Sequence, residues 1–146
     1  MKINQLSVFL ENKPGRLSAP CKALAKAGIN ILTLSLADTR QFGILRIIVK
    51  DWQNAKTVLE QAGCVVNVTE VIAIEVEDRP GGLAAVLEFI EKAGINLEYM
   101  YAFTFGRADK AAIVFRFENP ESALKLLQEK GINVVGSIDL YDRSAR

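Results

Sequence analysis

The strongest constraint on this chain is that it contains one pattern twice. Residues 11–17 read ENKPGRL and residues 77–83 read EDRPGGL. Gly15 and Gly81 stand 66 positions apart (81 less 15), and the block KAGIN at 26–30 recurs at 92–96 with the same offset. Further on, LEQAG at 59–63 matches LQEKG at 127–131, an offset of 68 (127 less 59). The second copy therefore carries two extra residues, most simply placed in a longer hairpin around Gly106. Self-similarity over nearly the whole chain marks a duplication, and two copies are too few for a solenoid.

Each copy carries the same order of elements. Leu6, Val8 and Leu10 alternate with Gln5, Ser7 and Phe9, which predicts a strand with one strongly apolar face. Asn12 to Gly15 form a turn signal, and Leu17, Cys21, Leu24 and Ala25 then fall at helical spacing up to a stop at Gly28. Leu32, Leu34 and Leu36 predict a second strand with Thr33, Ser35 and Ala37 on its other face. Thr39 to Gly43 read as a hairpin connection and residues 44–49 as a third strand. Asp51 caps a helix with Ala55, Val58, Leu59 and Ala62 on its apolar side, Gly63 ends it, and residues 64–69 give a short fourth strand. The order then repeats. Ile72, Ile74 and Val76 make a strand, and Leu83, Val86, Leu87 and Ile90 line a helix that stops at Gly94. A strand follows with Tyr99, Tyr101, Phe103 and Phe105 expected on one face, then a hairpin at 106–110 and a strand at 111–117. Asn119 caps a helix with Pro120 at its first position and Ala123, Leu124 and Leu127 on its face. Residues 132–141 are expected as the last strand, and Asp142 to Arg146 as a solvated tail. Strand, helix, strand, strand, helix, strand is the ferredoxin-like split βαβ order, with an antiparallel sheet and two helices on one face.

At this point the residues carry a resemblance. Asn-Lys-Pro-Gly-Arg-Leu after the first strand, with Ala-Gly-Ile-Asn entering the second, resembles an ACT domain. Asp78 to Leu83 with Ala93 to Asn96 resembles another. The resemblance implies an α+β fold of two ferredoxin-like βαββαβ units, side by side in a continuous antiparallel sheet with helices on one face. It places one ACT domain at residues 1–70, a second at 71–142 and a C-terminal tail at 143–146. It implies a regulatory protein of amino-acid metabolism that senses a free amino acid, forms a homodimer and holds its ligand at the inter-domain interface. Residues 6–17 also resemble the start of the acetolactate synthase regulatory subunit, although that subunit does not normally show a second clear Pro-Gly copy. The alternative reading is accordingly a regulatory subunit that docks on a separate metabolic enzyme.

The loop chemistry suits such a ligand. A turn that opens a helix points free N–H groups outward, and those around Gly15 to Leu17 can hold a carboxylate. Glycine lets the backbone come close. Asn12 and Asn30 each bring one amide acceptor and two donors. In several ACT families, positions matching these two contact the ligand, and the same matching brings in Asp78, as an ammonium partner, and Asn96. The candidate binding set is Asn12, Lys13, Pro14, Gly15, Arg16, Leu17, Asn30 and Ile31 in the first copy. In the second it is Asp78, Arg79, Pro80, Gly81, Gly82, Leu83, Asn96 and Leu97. The copies differ where Arg16 becomes Gly82 and Asn12 becomes Asp78, so two sites need not be equivalent and a single occupied site per chain is also consistent.

Composition narrows the rest. With 146 residues, half of them apolar, the chain can bury a substantial core. A net charge of +1, with no basic stripe or acidic tail, argues against nucleic acid or a membrane surface as partner. No apolar run approaches the roughly 20 residues that span a bilayer, and the N-terminus lacks a signal peptide's apolar core, which predicts a cytoplasmic protein. Cys21 and Cys64 lie in apolar patterns and read as reduced, buried thiols. There is no histidine and no grouping of other catalytic or metal-ligating side chains, so neither an enzyme, a metal nor a cofactor is expected.

Overall fold

The computed structural model describes residues 2–38, 41–104 and 106–144. Thr39 and Arg40 of the first hairpin, and Phe105 of the aromatic row, lie outside the described residues. The chain divides into two compact units, one of Asn4–Thr69 and one of Met1–Ile3 with Glu70–Arg146.

The first unit contains β1 (Ile3–Glu11), α1 (Ser18–Lys26), β2 (Ile31–Asp38), β3 (Phe42–Val49), α2 (Trp52–Gln61) and the opening of β4 (Val65–Glu77). Its strand order is β2-β3-β1-β4. β3 pairs antiparallel with both neighbours, setting Leu6 opposite Ile47 and Val8 opposite Leu45. Strand residues two apart share a face, so these side chains line one side of the sheet. Leu24 of α1 and Ala55 and Leu59 of α2 close over them. Asp51 starts α2 by accepting the N–H of Asn54 at 3.3 Å, a cap that stabilises a helix by about 1 kcal/mol.

The second unit repeats the plan with the rest of β4, then α3 (Gly82–Lys92), β5 (Leu97–Ala102), β6 (Lys110–Phe117), α4 (Pro120–Glu129), β7 (Val134–Val135) and α5 (Ser137–Ser144). β6 pairs antiparallel with β4 and β5, and β7 pairs with β4. Ile72, Ile74, Phe115 and Phe117 form the sheet side of its core, with Val86, Ile90, Ala123 and Leu127 from the helices. Phe115 and Phe117 stack with ring centroids 5.7 Å apart. Burying a side chain of this size contributes about 1.5–3 kcal/mol. Asn119 accepts the N–H of Ser122 at 3.1 Å and Pro120 opens α4, as the sequence predicts. The register also locates the two extra residues. Glu11 faces Phe42 and Glu77 faces Lys110, so the offset changes from 66 to 68 within the hairpin.

The structure corrects three expectations. The strands expected at 64–69 and 72–76 are one strand of 13 residues, because VVNVTEVIAIEVE contains no glycine or proline to turn it. The last strand is only Val134–Val135: Gly136 interrupts it and the chain turns into α5, anchored by the fully buried Leu140. Helix α5 takes in residues 142–144, which were expected in a tail. On β2, Leu34 and Leu36 share the helix-facing side with Ile47 and Leu45 yet are each 50% exposed, while Thr33 is buried. β2 ends the strand order, and its apolar side chains extend beyond the cover of the helices. On β5, Tyr99 pairs with Arg116 and Tyr101 with Val114, so the two tyrosines share one face, as the sequence predicts, and that face points away from the helices; Phe103 follows the end of β5.

Candidate functional site

The two Pro-Gly loops adopt the same local structure. Gly15 and Gly81 have φ of 86° and 88°, a left-handed geometry that costs an L-residue roughly 1–2 kcal/mol. The N–H of Arg16 donates to the Lys13 carbonyl at 3.2 Å, and that of Gly82 to Arg79 at 3.0 Å. Each loop is tied to its hairpin. The Asn12 N–H donates to Gln41 at 2.9 Å and the Asp78 N–H to Asp109 at 2.8 Å. The N–H of Arg16, expected to receive a carboxylate, is thus used within the turn. Leu17 lies one residue before α1 and is 43% exposed, so it does not serve as the helix's first core residue.

In the first unit the loop separates two cavities. One, of about 370 Å³, is lined by Asn12, Lys13, Pro14, Gly15 and Leu17 together with Leu10, Glu11, Leu36 and Gly43. The other, of about 320 Å³, lies on the Arg16 side and reaches Glu11, the β3 start at Phe42 and the turn at Cys64 and Val65. Glu11 pairs with Lys13 at 3.1 Å. Hydrogen bonding from Lys13, aided by the positive charges of Lys13 and Arg16, holds the Glu11 carboxyl below the usual carboxylate range. In the second unit Arg79 and Gly82 line a cavity of about 380 Å³ with Glu77 and Lys110. Glu77 pairs there with Arg79 and, at 3.7 Å, with Lys110.

The remaining candidates divide differently from the sequence expectation. Ile31 pairs with Val49 at one end of β2, whereas the Pro-Gly loop follows Glu11, which pairs with Phe42 at the other end. Eight residues of strand span roughly 25 Å. Asn30 therefore lies at the opposite end of its unit from Asn12, and does not complete a site with it there. The same holds for Asn96 and Asp78, because Leu97 pairs with Phe117 and Glu77 with Lys110. Asn96 accepts the N–H of Glu118 at 3.1 Å and lines an open groove of about 880 Å³ with Asn119 and Lys125. Ile31, Leu83 and Leu97 pack against the cores, while Pro80 and Gly81 form the exposed turn ahead of α3. Sequence reasoning missed Phe42, Cys64 and Val65 beside Arg16, and Lys110 beside Arg79. Only Phe9 gave a sign, as the apolar exception in the Gln5, Ser7, Phe9 row.

Among the described residues no helix is long and apolar enough to cross a membrane, and no group of three or more His, Cys, Asp or Glu can hold a metal ion. A family described as an ACT domain pair matches residues 1–143. No curated protein matches the chain. Among solved structures, protein BT0572 from Bacteroides thetaiotaomicron is 40% identical with a TM-score of 0.89, over 97% of this chain and 96% of that one. The regulatory subunit of aspartate kinase from Thermus thermophilus, in its ligand-free form, is 17% identical with a TM-score of 0.61, over 86% of this chain and 91% of that one. Its counterpart from Thermus flavus is 17% identical with a TM-score of 0.59, over 86% and 90%. These last two likenesses are of fold.

Proposed function

The chain belongs to the ACT-domain-pair family, and from that premise we propose that it is a non-catalytic, cytoplasmic regulatory protein that binds a free amino acid at its Pro-Gly loops. One observation carries this reading. The left-handed Pro-Gly loop recurs in both units, and each copy borders cavities of about 320–380 Å³ that contain charges of both signs. Cavities of this size lie at the small end of those that hold organic ligands. A zwitterion needs a cation for its carboxylate and an anion for its ammonium. The first loop offers Lys13 and Arg16 beside Glu11, and the second Arg79 and Lys110 beside Glu77 and Asp78.

A bound ligand regulates only by binding one state of the protein more tightly than another. The loop is suited to that role because it joins a strand to a helix and is tied to the hairpin by one backbone hydrogen bond. Thermal melting against each of the twenty amino acids at millimolar concentration tests the reading. At least one raises Tm, since a ligand at one hundred times its Kd stabilises by about 2.7 kcal/mol. No shift with any of them overturns it.

A second reading, docking on another protein, is favoured by Leu34 and Leu36, half exposed on a strand that ends its sheet order. The partner would be a second copy, giving a homodimer, or a separate metabolic enzyme, as aspartate kinase is for the Thermus regulatory subunits of similar fold. Leu34→Asp and Leu36→Asp should then reduce self-association or enzyme capture without lowering Tm. Unchanged mass by light scattering, and unchanged enzyme capture, would count against this surface.

A further inference from the structure

The Pro-Gly end of each unit carries the same cavity, and we infer that only the first is fitted for a ligand: an amino acid with an apolar side chain, its carboxylate taken by Arg16. This inference rests on the reading of the chain as an amino-acid binder and adds which copy binds and what it selects.

The equivalence follows from the repeat. The 66-residue offset carries Phe9, Glu11 and Arg16 onto Glu75, Glu77 and Gly82, and the 68-residue offset carries Phe42 and Val65 onto Lys110 and Asn133. All of the first group line the cavity of about 320 Å³, and all of the second line the one of about 380 Å³. The register agrees, since Phe42 lies opposite Glu11 and Lys110 opposite Glu77. Equivalent positions thus frame both cavities, and the backbone differs where α3 begins at Gly82 while α1 begins two residues after Arg16.

Their chemistry is opposite. In the first unit, Phe9, Phe42 and Val65 are 40%, 53% and 64% exposed around the opening. Three large apolar side chains with this much of their surface exposed at one cavity form a patch suited to receive an apolar group. Arg16 makes no ion pair among the described residues, and its planar guanidinium matches a carboxylate with two parallel hydrogen bonds. Glu11, beside it, supplies the anion for an ammonium group, in exchange with Lys13. Cation, anion and apolar surface stand together in one cavity, as an apolar amino acid requires.

In the second unit the apolar side chains and Arg16 are replaced, while the glutamate is kept as Glu77. Glu75, Lys110 and Asn133 occupy the apolar positions, so an apolar side chain would be set against charge. Glu77 is already neutralised by Arg79 and Lys110. Gly82 cannot carry a guanidinium, because a Cβ there would fall on the carbonyl oxygen of Glu77 and lie 2.9 Å from its carbonyl carbon. The duplication has kept the shape and removed the receptor.

Isothermal titration calorimetry on the full chain tests this, using phenylalanine, leucine, valine and methionine against serine, aspartate and lysine. The expected result is one equivalent of an apolar amino acid per chain, with Kd weakened at least tenfold by Arg16→Gln and by Phe42→Ser. Asn133→Ala, in the second cavity, should change Kd less than twofold. Melting curves confirm that each variant is folded, and Arg16 is exposed enough to be replaced without disturbing the core. Binding restricted to polar amino acids, or binding lost in Asn133→Ala and kept in Arg16→Gln, overturns the inference while leaving the amino-acid reading intact. No heat with any amino acid removes both.

Discussion

Gly82→Ala tests the steric half of the asymmetry between the two loops. A Cβ at this position meets the Glu77 carbonyl, with the carbonyl carbon at 2.9 Å and the Cα at 3.4 Å. Glu77 cannot simply retreat, since it closes β4 and is paired with Lys110 of β6. Overpacking costs about 1–3 kcal/mol and more where backbone is struck, so a loss of about 3 kcal/mol is expected. At roughly 2–4 °C per kcal/mol for a chain of this size, Tm should fall by about 6–12 °C. Gly81→Ala is the internal control. It has open space around its Cβ but a φ of 88°, so it pays only the left-handed strain of about 1–2 kcal/mol. Differential scanning calorimetry of both variants gives the comparison. If Gly82→Ala melts at or above the temperature of Gly81→Ala, the close approach is wrong and the reason given for the missing arginine fails with it.

Two further perturbations follow from the electrostatics and the caps. Lys2 bridges Glu121 at 2.6 Å and Glu70 at 3.1 Å; hydrogen bonding to Glu121 first, then to Glu70, raises the lysine pKa, and hydrogen bonding from Lys2 lowers that of Glu121. The stability from Glu121 is present above the ordinary carboxylate value and lost as pH falls through the lowered one, while that from Lys2 is present below the ordinary lysine value and lost as pH rises through the raised one. The Tm difference between wild type and Lys2→Met should therefore be largest near neutral pH, shrink in strong acid and in strong base, and be small and salt-sensitive throughout; a difference undiminished in strong acid would contradict the bridge. Asn119→Ala removes the acceptor for the Ser122 N–H and should cost about 1 kcal/mol, or roughly 2–4 °C in Tm, with Pro120 still opening α4; an unchanged Tm would show the cap to be idle.

The repeat made most of the fold legible. A 66-residue offset with matching helix stops at Gly28 and Gly94 predicts two equal units, and alternation in Leu6, Val8 and Leu10 predicts which side of β1 is core. Local pattern was misleading where tertiary cover decides. Leu34 and Leu36 have the alternation of a buried face, yet helix packing leaves them half exposed at the end of the strand order. Ile132, Val134, Ile138 and Leu140 also alternate, but Gly136 breaks the strand and α5 follows. The candidate site was legible in its loop and not in its walls. Pro-Gly and Arg16 stand out in one short segment, whereas Phe9, Phe42 and Val65 reach the same cavity from three separate strands. Motif matching places Asn30 and Asn96 with the loop, whereas the strand register sets them about 25 Å of strand from Asn12 and Asp78.

The central claim is that this chain holds one amino acid, in its first Pro-Gly cavity. A crystal structure grown with the amino acid that raises Tm most tests it directly. The account predicts a ligand with its carboxylate on the Arg16 guanidinium, its ammonium near Glu11 and its side chain against Phe9 and Phe42, and no ligand between Arg79 and Lys110. A ligand bound in the second cavity, or at the groove beside Asn96, with the Arg16 cavity empty, would contradict it.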